Sequence, residues 1–243
     1  MLDNKRIIIG FLMAIAFVII ALINDFWLNF VLFGALLYFA IKEGEKLFQN
    51  PNINTRLLAL AAFVIGSFTG QVFFVGVLIL LLAMGVLAYQ KAKNLRSLYA
   101  FFYPTLPLLA MWQLYLDKGM FALFWLVFIV AFCDSGAYFV GKFIGRTPFS
   151  KSSPSKTLEG VIGGVVIASF FGTLFGLFMY NFWLSLLASV LVSIFAVFGD
   201  LFESYLKRRA NVKDSANLIP GHGGILDRID AVIFASFVLV ALL

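Results

Sequence analysis

The sequence predicts an all-α protein, a bundle of about nine transmembrane helices that forms a single integral membrane domain over residues 1–243. Hydrophobic residues make up 63% of the chain, and the mean hydropathy is +1.02, whereas soluble domains are about half apolar or less. Apolar stretches of the roughly 20 residues that a membrane helix requires recur along the whole chain. The basic residues, in addition, are confined to alternate loops. Together these features predict that the bilayer is the solvent of this fold.

The nine apolar stretches define the predicted helices. They cover residues 6–24, 26–42, 56–70, 72–90, 98–116, 119–141, 160–180, 182–206 and 225–243. The first follows Lys5 and Arg6 as in a signal peptide, but no clear small-residue cleavage site follows it, so we expect a retained helix. The third is the weakest, because its apolar run is short. Pro104 and Pro107 predict a kink in the fifth, since proline removes a backbone donor.

The loops predict the orientation. Lysine and arginine favour the cytoplasmic side of a membrane. Nine spans, with the N-terminus inside and the C-terminus outside, place all 18 of these residues except Lys118 on that side. The long polar loops 142–159 and 207–224 should therefore face the cytoplasm. The net charge of +6 is then explained by loops that meet anionic lipid, so we expect no nucleic-acid partner.

Acidic residues divide the chain into a scaffold half, residues 1–118, and a catalytic half, residues 119–243. Seven of the 12 acidic residues lie between positions 134 and 230. Asp134 and Asp200 end long apolar runs, and Asp227 and Asp230 begin the last span. Ionisable residues at membrane depth are costly and indicate function. We therefore expect these four carboxylates at one level, the cytoplasmic mouth of the bundle.

Residue spacing suggests a metal centre there. Asp227 and Asp230 are three positions apart and share a helix face. Asp200, Ser204 and Lys207 form a second polar stripe on the eighth helix. If the last two helices pack side by side, three carboxylates converge, and a hard cation such as Mg2+ suits them. The alternative is that these acids lie at solvated helix ends and pair with lysine or arginine. That alternative has more weight for Glu203 and Asp214 than for the three aspartates.

The loop between these acids, KRRANVKDSANLIPGHGG, combines cations with His222 and three glycines, Gly221, Gly223 and Gly224. Glycines allow close backbone approach to a ligand, and cations beside them suit a polyphosphate. We expect His222 to contact phosphate rather than a metal. The other long loop contains Lys156, Thr157 and Glu159 but has no G-x-x-x-x-G-K-[ST] phosphate-binding motif. Cys133, the single cysteine, excludes an internal disulfide.

The chain resembles the phosphatidate cytidylyltransferase family, also called CDP-diacylglycerol synthases. The family signature is matched over 27 positions by Ser204, Lys207-Arg208, Lys213-Asp214, Pro220, His222-Gly223-Gly224 and Asp227-Arg228-x-Asp230. Two weaker segments also match, DSGAYFVGKFIG from Asp134 and SPSKTLEGVIGG from Ser153. The family usually has an aromatic residue at Leu158 and often threonine at Ser135. The first half of the chain agrees only in being a set of membrane helices.

The resemblance implies that the phosphate of phosphatidate attacks the α-phosphorus of CTP, releasing pyrophosphate and forming CDP-diacylglycerol for phospholipid synthesis. It implies Mg2+, allows a second cation such as K+, and implies a homodimer in the bacterial cytoplasmic membrane. Asp200, Asp227 and Asp230 would form the metal centre. Lys207, Arg208, Lys213, His222 and Arg228 would hold phosphates of CTP or lipid. The remaining substrate-site residues implied are Ser204, Asp214, Gly223, Gly224, Lys156 and Asp134.

Other functions compete with this one. An ion-coupled transporter also carries acids within the membrane, but there they follow the ion path instead of collecting at one mouth. A phosphotransferase that consumes CDP-lipid is disfavoured, because its Asp-Gly-x-x-Ala-Arg pattern is missing. A CTP-dependent enzyme that acts on another lipid phosphate, or a lipid kinase, stays open.

Overall fold

The computed structural model describes residues 2–218 and 223–243 of the chain, and regular structure in these ranges is helical. An isolated β-bridge joins Pro148 to Thr157. The elements, in order, are α1 (Leu2–Ile23), α2 (Phe26–Leu47), α3 (Ile53–Thr69), α4 (Val72–Tyr89), α5 (Arg96–Ala100), a π-helical turn (Phe101–Thr105), α6 (Leu106–Ile144), α7 (Leu158–Gly176), α8 (Phe182–Arg209) and α9 (Leu226–Leu242).

The predicted fold class is confirmed, because the described chain is all-helical and polytopic. Among the described residues, five helical stretches are long and apolar enough to cross a membrane: Phe26–Leu47, Val72–Tyr89, Arg96–Ile144, Leu158–Gly176 and Phe182–Arg209. Two shorter apolar helices are Ile8–Ile23 and Ile53–Thr69. The protein is therefore an integral membrane protein. The count of nine spans and the orientation stay predictions.

One helix boundary differs from the prediction in a way that matters for the site. The expected end of the second helix at residue 42 is wrong, because α2 continues to Leu47. Glu43 and Glu45 therefore lie inside a helix, each only 1% exposed. The kink predicted at Pro104 is confirmed by the non-helical backbone of Tyr103. Helical geometry is interrupted again at Gly119, where φ is 72°.

The chain forms two compact units. The first contains Met1–Trp112 and Val212–Arg228, and the second contains Gln113–Asn211 and Ile229–Leu243. Neither corresponds to one half of the sequence, because the loop that follows α8 packs with the N-terminal helices.

In the first unit, the end of α2 is held between its neighbours. A Cβ atom at Gly44 would lie 2.7 Å from Cδ of Pro104, so α2 lies directly against the kinked turn. On the other side Glu45 forms a 2.6 Å ion pair with Arg56 of α3. Glu43 directly precedes these two residues, so it lies in a helix end that contacts on both sides hold in place.

In the second unit, small residues allow α7 to pack closely on its neighbours. Five of them recur at every fourth position and line a buried stripe: Gly160, Gly164, Ala168, Gly172 and Gly176. A Cβ at Gly164 would lie 2.5 Å from the carbonyl oxygen of Cys133 in α6, and one at Gly172 would lie 2.7 Å from Ser189 Oγ in α8. Such small-residue contacts are typical of helix packing in membranes, where lipid tails are as apolar as the helix surfaces.

We expect Gly164→Ala to destabilise the protein by roughly 1–3 kcal/mol, because the new methyl group meets a backbone atom that has little room to move. Gly85→Ala in α4 is the control, since a Cβ there meets nothing within 4 Å. That change should be neutral or stabilising by up to about 1 kcal/mol through helix propensity. Thermal unfolding in detergent measures both, and equal midpoints for the two variants would contradict the proposed packing.

Candidate active site

Lys156 is held by a short hairpin that precedes α7. Phe149 N–H donates to the Lys156 carbonyl at 2.8 Å, and Leu158 N–H donates to the Thr147 carbonyl at 2.9 Å. The Glu159 carboxylate closes the hairpin, accepting bonds from Arg146 N–H at 3.0 Å and from the Thr147 hydroxyl at 2.8 Å. The backbone of Lys156 is therefore fixed by contacts on both sides.

Thr157 joins this hairpin to the helices. It is the N-cap of α7, and its hydroxyl oxygen accepts a bond from Gly160 N–H at 3.2 Å. Cβ atoms at Gly141 and Gly160 would lie only 3.0 and 2.9 Å from that oxygen. Glycine at these positions leaves room for the Thr157 side chain, so the loop is seated against α6 and α7.

The side chain of Lys156 forms an ion pair with Asp200 of α8. Ser204, one turn further along α8, donates its hydroxyl to the other carboxylate oxygen of Asp200 at 3.3 Å. The side chains of Lys156 and Asp200 are each 25% exposed. The pair is thus accessible from outside the protein core, which a polar ligand requires.

Two further carboxylates lie near this pair. Asp134 in α6 is exposed and interacts electrostatically with both Lys156 and Asp230. Asp230 is buried, and a Cβ at Gly199 would lie 2.6 Å from its carbonyl oxygen, so α8 and α9 touch beside Asp200. The second unit therefore collects one ammonium group and three carboxylates, a set that attracts cations.

In the first unit, the Asp227 carboxylate closes the loop that leads into α9. Its Oδ2 atom accepts bonds from Ser215 N–H at 2.9 Å and Gly224 N–H at 2.7 Å, and lies 2.9 Å from Ser215 Oγ. These bonds join the beginning of the loop to its end.

Glu43 of α2 completes this closure from a distant part of the sequence. Its Oε1 accepts a bond from Ile225 N–H at 3.0 Å, and its Oε2 accepts one from Leu226 N–H at 2.8 Å. Oε2 also lies 2.9 Å from Ser215 Oγ. Free N–H groups at a helix N-terminus favour a negative partner, which Glu43 supplies to α9. We call Glu43, Ser215 and Asp227, with the backbone N–H groups they bind, the loop clasp.

The loop clasp explains the paired glycines. A Cβ at Gly224 would collide with Ser215 Oγ and with the Glu43 carboxylate. Gly223 has a φ of 80°, and a Cβ there would lie 2.5 Å from Asp227 Oδ2. In the structure these glycines make room for two carboxylates, and the ligand contact that the sequence suggested for them stays a prediction. The neighbouring His222 lies outside the described residues.

The other predicted site residues lie on α8, in the loop that follows it and at the start of α9. Lys207 forms a 3.6 Å ion pair with Glu203 one turn before it. Four exposed residues complete the set: Arg208, Lys213, Asp214 and Arg228. Within residues 2–218 and 223–243, no three His, Cys, Asp or Glu side chains are grouped so as to hold a metal ion. The three-aspartate metal centre therefore stays a prediction.

Sequence reasoning missed Glu43 and Ser215. The available signal for Glu43 was its position: an acidic residue directly after the 17 mostly apolar residues 26–42, the feature that identified Asp134 and Asp200. It was overlooked because the predicted helix ended at residue 42, directly before Glu43, whereas α2 continues to Leu47. Ser215 carried no comparable signal, since a serine in a polar loop is ordinary.

Comparison with known proteins points to one family. The model of the cytidylyltransferase family matches residues 4–243. A phosphatidate cytidylyltransferase of Helicobacter pylori is 37% identical over 99% of this chain and 92% of the relative. The Bacillus subtilis phosphatidate cytidylyltransferase is 46% identical over 120 residues, 48% of this chain and 45% of the relative.

We expect Gly224→Ala to open the loop clasp. Loss of one net hydrogen bond, worth roughly 1 kcal/mol, corresponds to about fivefold faster amide exchange, and the clasp holds several. Hydrogen exchange of residues 212–228 should therefore rise at least about fivefold in the detergent-solubilised variant. Gly85→Ala should leave that segment unchanged, and unchanged exchange in both variants would rule out the steric requirement at Gly224.

Proposed function

The chain belongs to the cytidylyltransferase family, and from this premise we propose that it transfers the cytidylyl group of CTP to phosphatidate, which gives CDP-diacylglycerol and pyrophosphate. An oxygen of the lipid phosphate forms a bond to the α-phosphorus of CTP. The bond from that phosphorus to the oxygen bridging to the β-phosphate breaks, and pyrophosphate leaves with the electron pair. The nucleophile is already an anion, so the reaction needs no strong general base.

The observation that carries the proposal is the rigidly held, partly exposed Lys156 among the carboxylates of the second unit. The barrier to joining two phosphate anions lies in their mutual repulsion and in the charge that grows on pyrophosphate. Fixed positive groups lower both costs, and they act best where no reorganisation is needed. Lys156 provides such a group, since the hairpin fixes its backbone.

The basic residues of the second polar loop complete the phosphate site. Lys207, Arg208, Lys213, His222 and Arg228 would bind the phosphates of CTP and of the lipid. Arg208, Lys213 and Arg228 are exposed, as contact with a soluble nucleotide requires. Ser204 would orient Asp200, whose carboxylate it already contacts. Orientation of two bound reactants is itself a large part of the rate, because it replaces a bimolecular encounter.

Mg2+ fits the site by donor chemistry. Asp200 and Asp230 lie on touching turns of α8 and α9, and carboxylate oxygens are the ligands that Mg2+ prefers. These two residues and Asp227 would hold the ion, and K+ would be a suitable second cation. When bound, the metal would neutralise phosphate charge and stabilise the leaving pyrophosphate.

We place this site at the cytoplasmic face of the bacterial inner membrane. Nine spans with a cytoplasmic N-terminus put the basic loops on the side where CTP is found. Lipid enters sideways between helices while the nucleotide arrives from water. The catalytic unit would be a homodimer.

Purified protein supplied with Mg2+, CTP and phosphatidate is expected to release pyrophosphate and form CDP-diacylglycerol. Product identification by mass spectrometry, with several other lipid phosphates in parallel, tests both reaction and substrate. Faster turnover of another lipid phosphate would move the assignment to a related CTP-dependent enzyme. Cation flux across vesicles without any nucleotide turnover would support an ion-coupled transporter.

Lys156→Gln is expected to lower kcat/KM roughly 100-fold, the usual cost of removing one preorganised group that stabilises developing charge. Stability should hardly change, because partly exposed ion pairs contribute only about 0–1 kcal/mol. Lys151→Gln is the matched control, an exposed lysine of the same loop without a carboxylate partner among the described ion pairs. Equal activity of the two variants would remove Lys156 from the site.

A further inference from the structure

We propose that Glu43 is a positioning residue that holds Ser215, Ile225 and the start of α9 in the arrangement that the active site requires. The loop's importance rests on the proposed function, but its attachment to Glu43 does not. Glu43 lies 172 positions before Ser215, in the half of the sequence predicted to be scaffold.

Burial and partners single out this carboxylate. Glu43 is 1% exposed, and its oxygens meet donors from both ends of the loop: the Ser215 hydroxyl near the beginning, and the Ile225 and Leu226 N–H groups at the end. A buried charge is tolerated only where hydrogen bonds compensate for its lost hydration. The hydrogen bonds that compensate the buried Glu43 carboxylate therefore also hold both ends of the loop against α2.

The position demands a carboxylate rather than any polar group. Ionised glutamate has two accepting oxygens, and both are used here by donors. In glutamine one of these atoms becomes an NH2 group, which would face a backbone N–H with no acceptor between them. That leaves a buried donor unsatisfied and weakens the hold on the loop.

Residues proposed to act on the substrate lie next to the clasped atoms. Lys213 is two positions before Ser215, and Arg228 is two positions after Leu226. Asp227 accepts bonds from the same Ser215 that Glu43 contacts. A shift of the clasp therefore moves a phosphate-binding cation on each side, and misplacement by about 1 Å can lower a rate about 100-fold.

If Glu43 only stabilised the fold, its substitution should have the same effects as substitution of its neighbour Glu45. That residue lies on the same helix, is also 1% exposed, and pairs with Arg56 rather than with the loop. Glu45→Gln is thus a matched control for Glu43→Gln: the substitution, the helix and the burial are the same, and only the partner differs.

Hydrogen exchange of the full-length protein in detergent, without substrates, tests the attachment. In Glu43→Gln, exchange of residues 215–228 should rise about tenfold relative to the unmodified protein, while Glu45→Gln leaves that segment within about twofold. Similar exchange of the segment in both variants would overturn the proposal. This comparison holds whatever reaction the protein catalyses.

Turnover of CTP and phosphatidate, normalised to folded protein, tests the consequence. We expect Glu43→Gln to lower kcat roughly 10- to 100-fold and Glu45→Gln to stay within about threefold. Ser215→Ala, which removes one hydroxyl from the loop itself, should act in the same direction and carries the test if Glu43→Gln fails to fold. Faster loop exchange with unchanged kcat would overturn the positioning role. No turnover by the unmodified protein would overturn the proposed reaction. The attachment of the loop to Glu43 would then be decided by hydrogen exchange alone.

Discussion

The loop before α9 and the start of α9 depend on the hydrogen bonds that the buried Glu43 carboxylate accepts from them. An uncompensated charge in an apolar interior is prohibitively costly, so Glu43 must meet donors wherever the chain can supply them. The free N–H groups at the start of α9 and the Ser215 hydroxyl supply them. This requirement fixes where α9 begins, and it leaves no space for a side chain at Gly224. One charge on α2 thereby orders a segment near the other end of the sequence.

The Lys156–Asp200 pair and the loop clasp differ in a way that suits the proposed reaction. The first would bind substrate, and the second keeps the loop in position. In the loop clasp, Glu43 and Ser215 are buried, and both carboxylates already accept backbone hydrogen bonds from the loop and the start of α9. The Lys156–Asp200 pair is a quarter exposed and accessible, so both groups can change partners when phosphate or a cation arrives. In the proposed reaction, Lys156 would leave Asp200 for a substrate phosphate, and the freed carboxylate would be available to Mg2+. Partly exposed pairs exchange at little cost in stability, which fits this role.

The sequence predicted much of this architecture because the bilayer restricts the choices. A chain this apolar can satisfy its backbone only in helices or a closed barrel, and runs of about 20 residues favour helices. The kink at Pro104 followed from proline chemistry. The loop clasp was out of reach, since nothing in the sequence pairs Glu43 with Ser215 across 172 positions. Likewise the hairpin around Lys156 depends on Glu159 capturing backbone N–H groups of Arg146 and Thr147, which spacing alone does not reveal.

Two aspartates of the signature, Asp227 and Asp230, are proposed to bind a metal, but only Asp227 also closes the loop. Asp227 closes the loop through three contacts to Ser215 and Gly224, so replacing it would disturb the loop whether or not it binds a metal. Asp230 accepts a bond from Ala231 N–H in its own helix and lies beside Gly199 of α8. Its replacement leaves the described bonds of the clasp in place. A metal role is thus better judged at Asp230, whereas Asp227 reports on metal and loop together, and Glu43 reports on the loop alone.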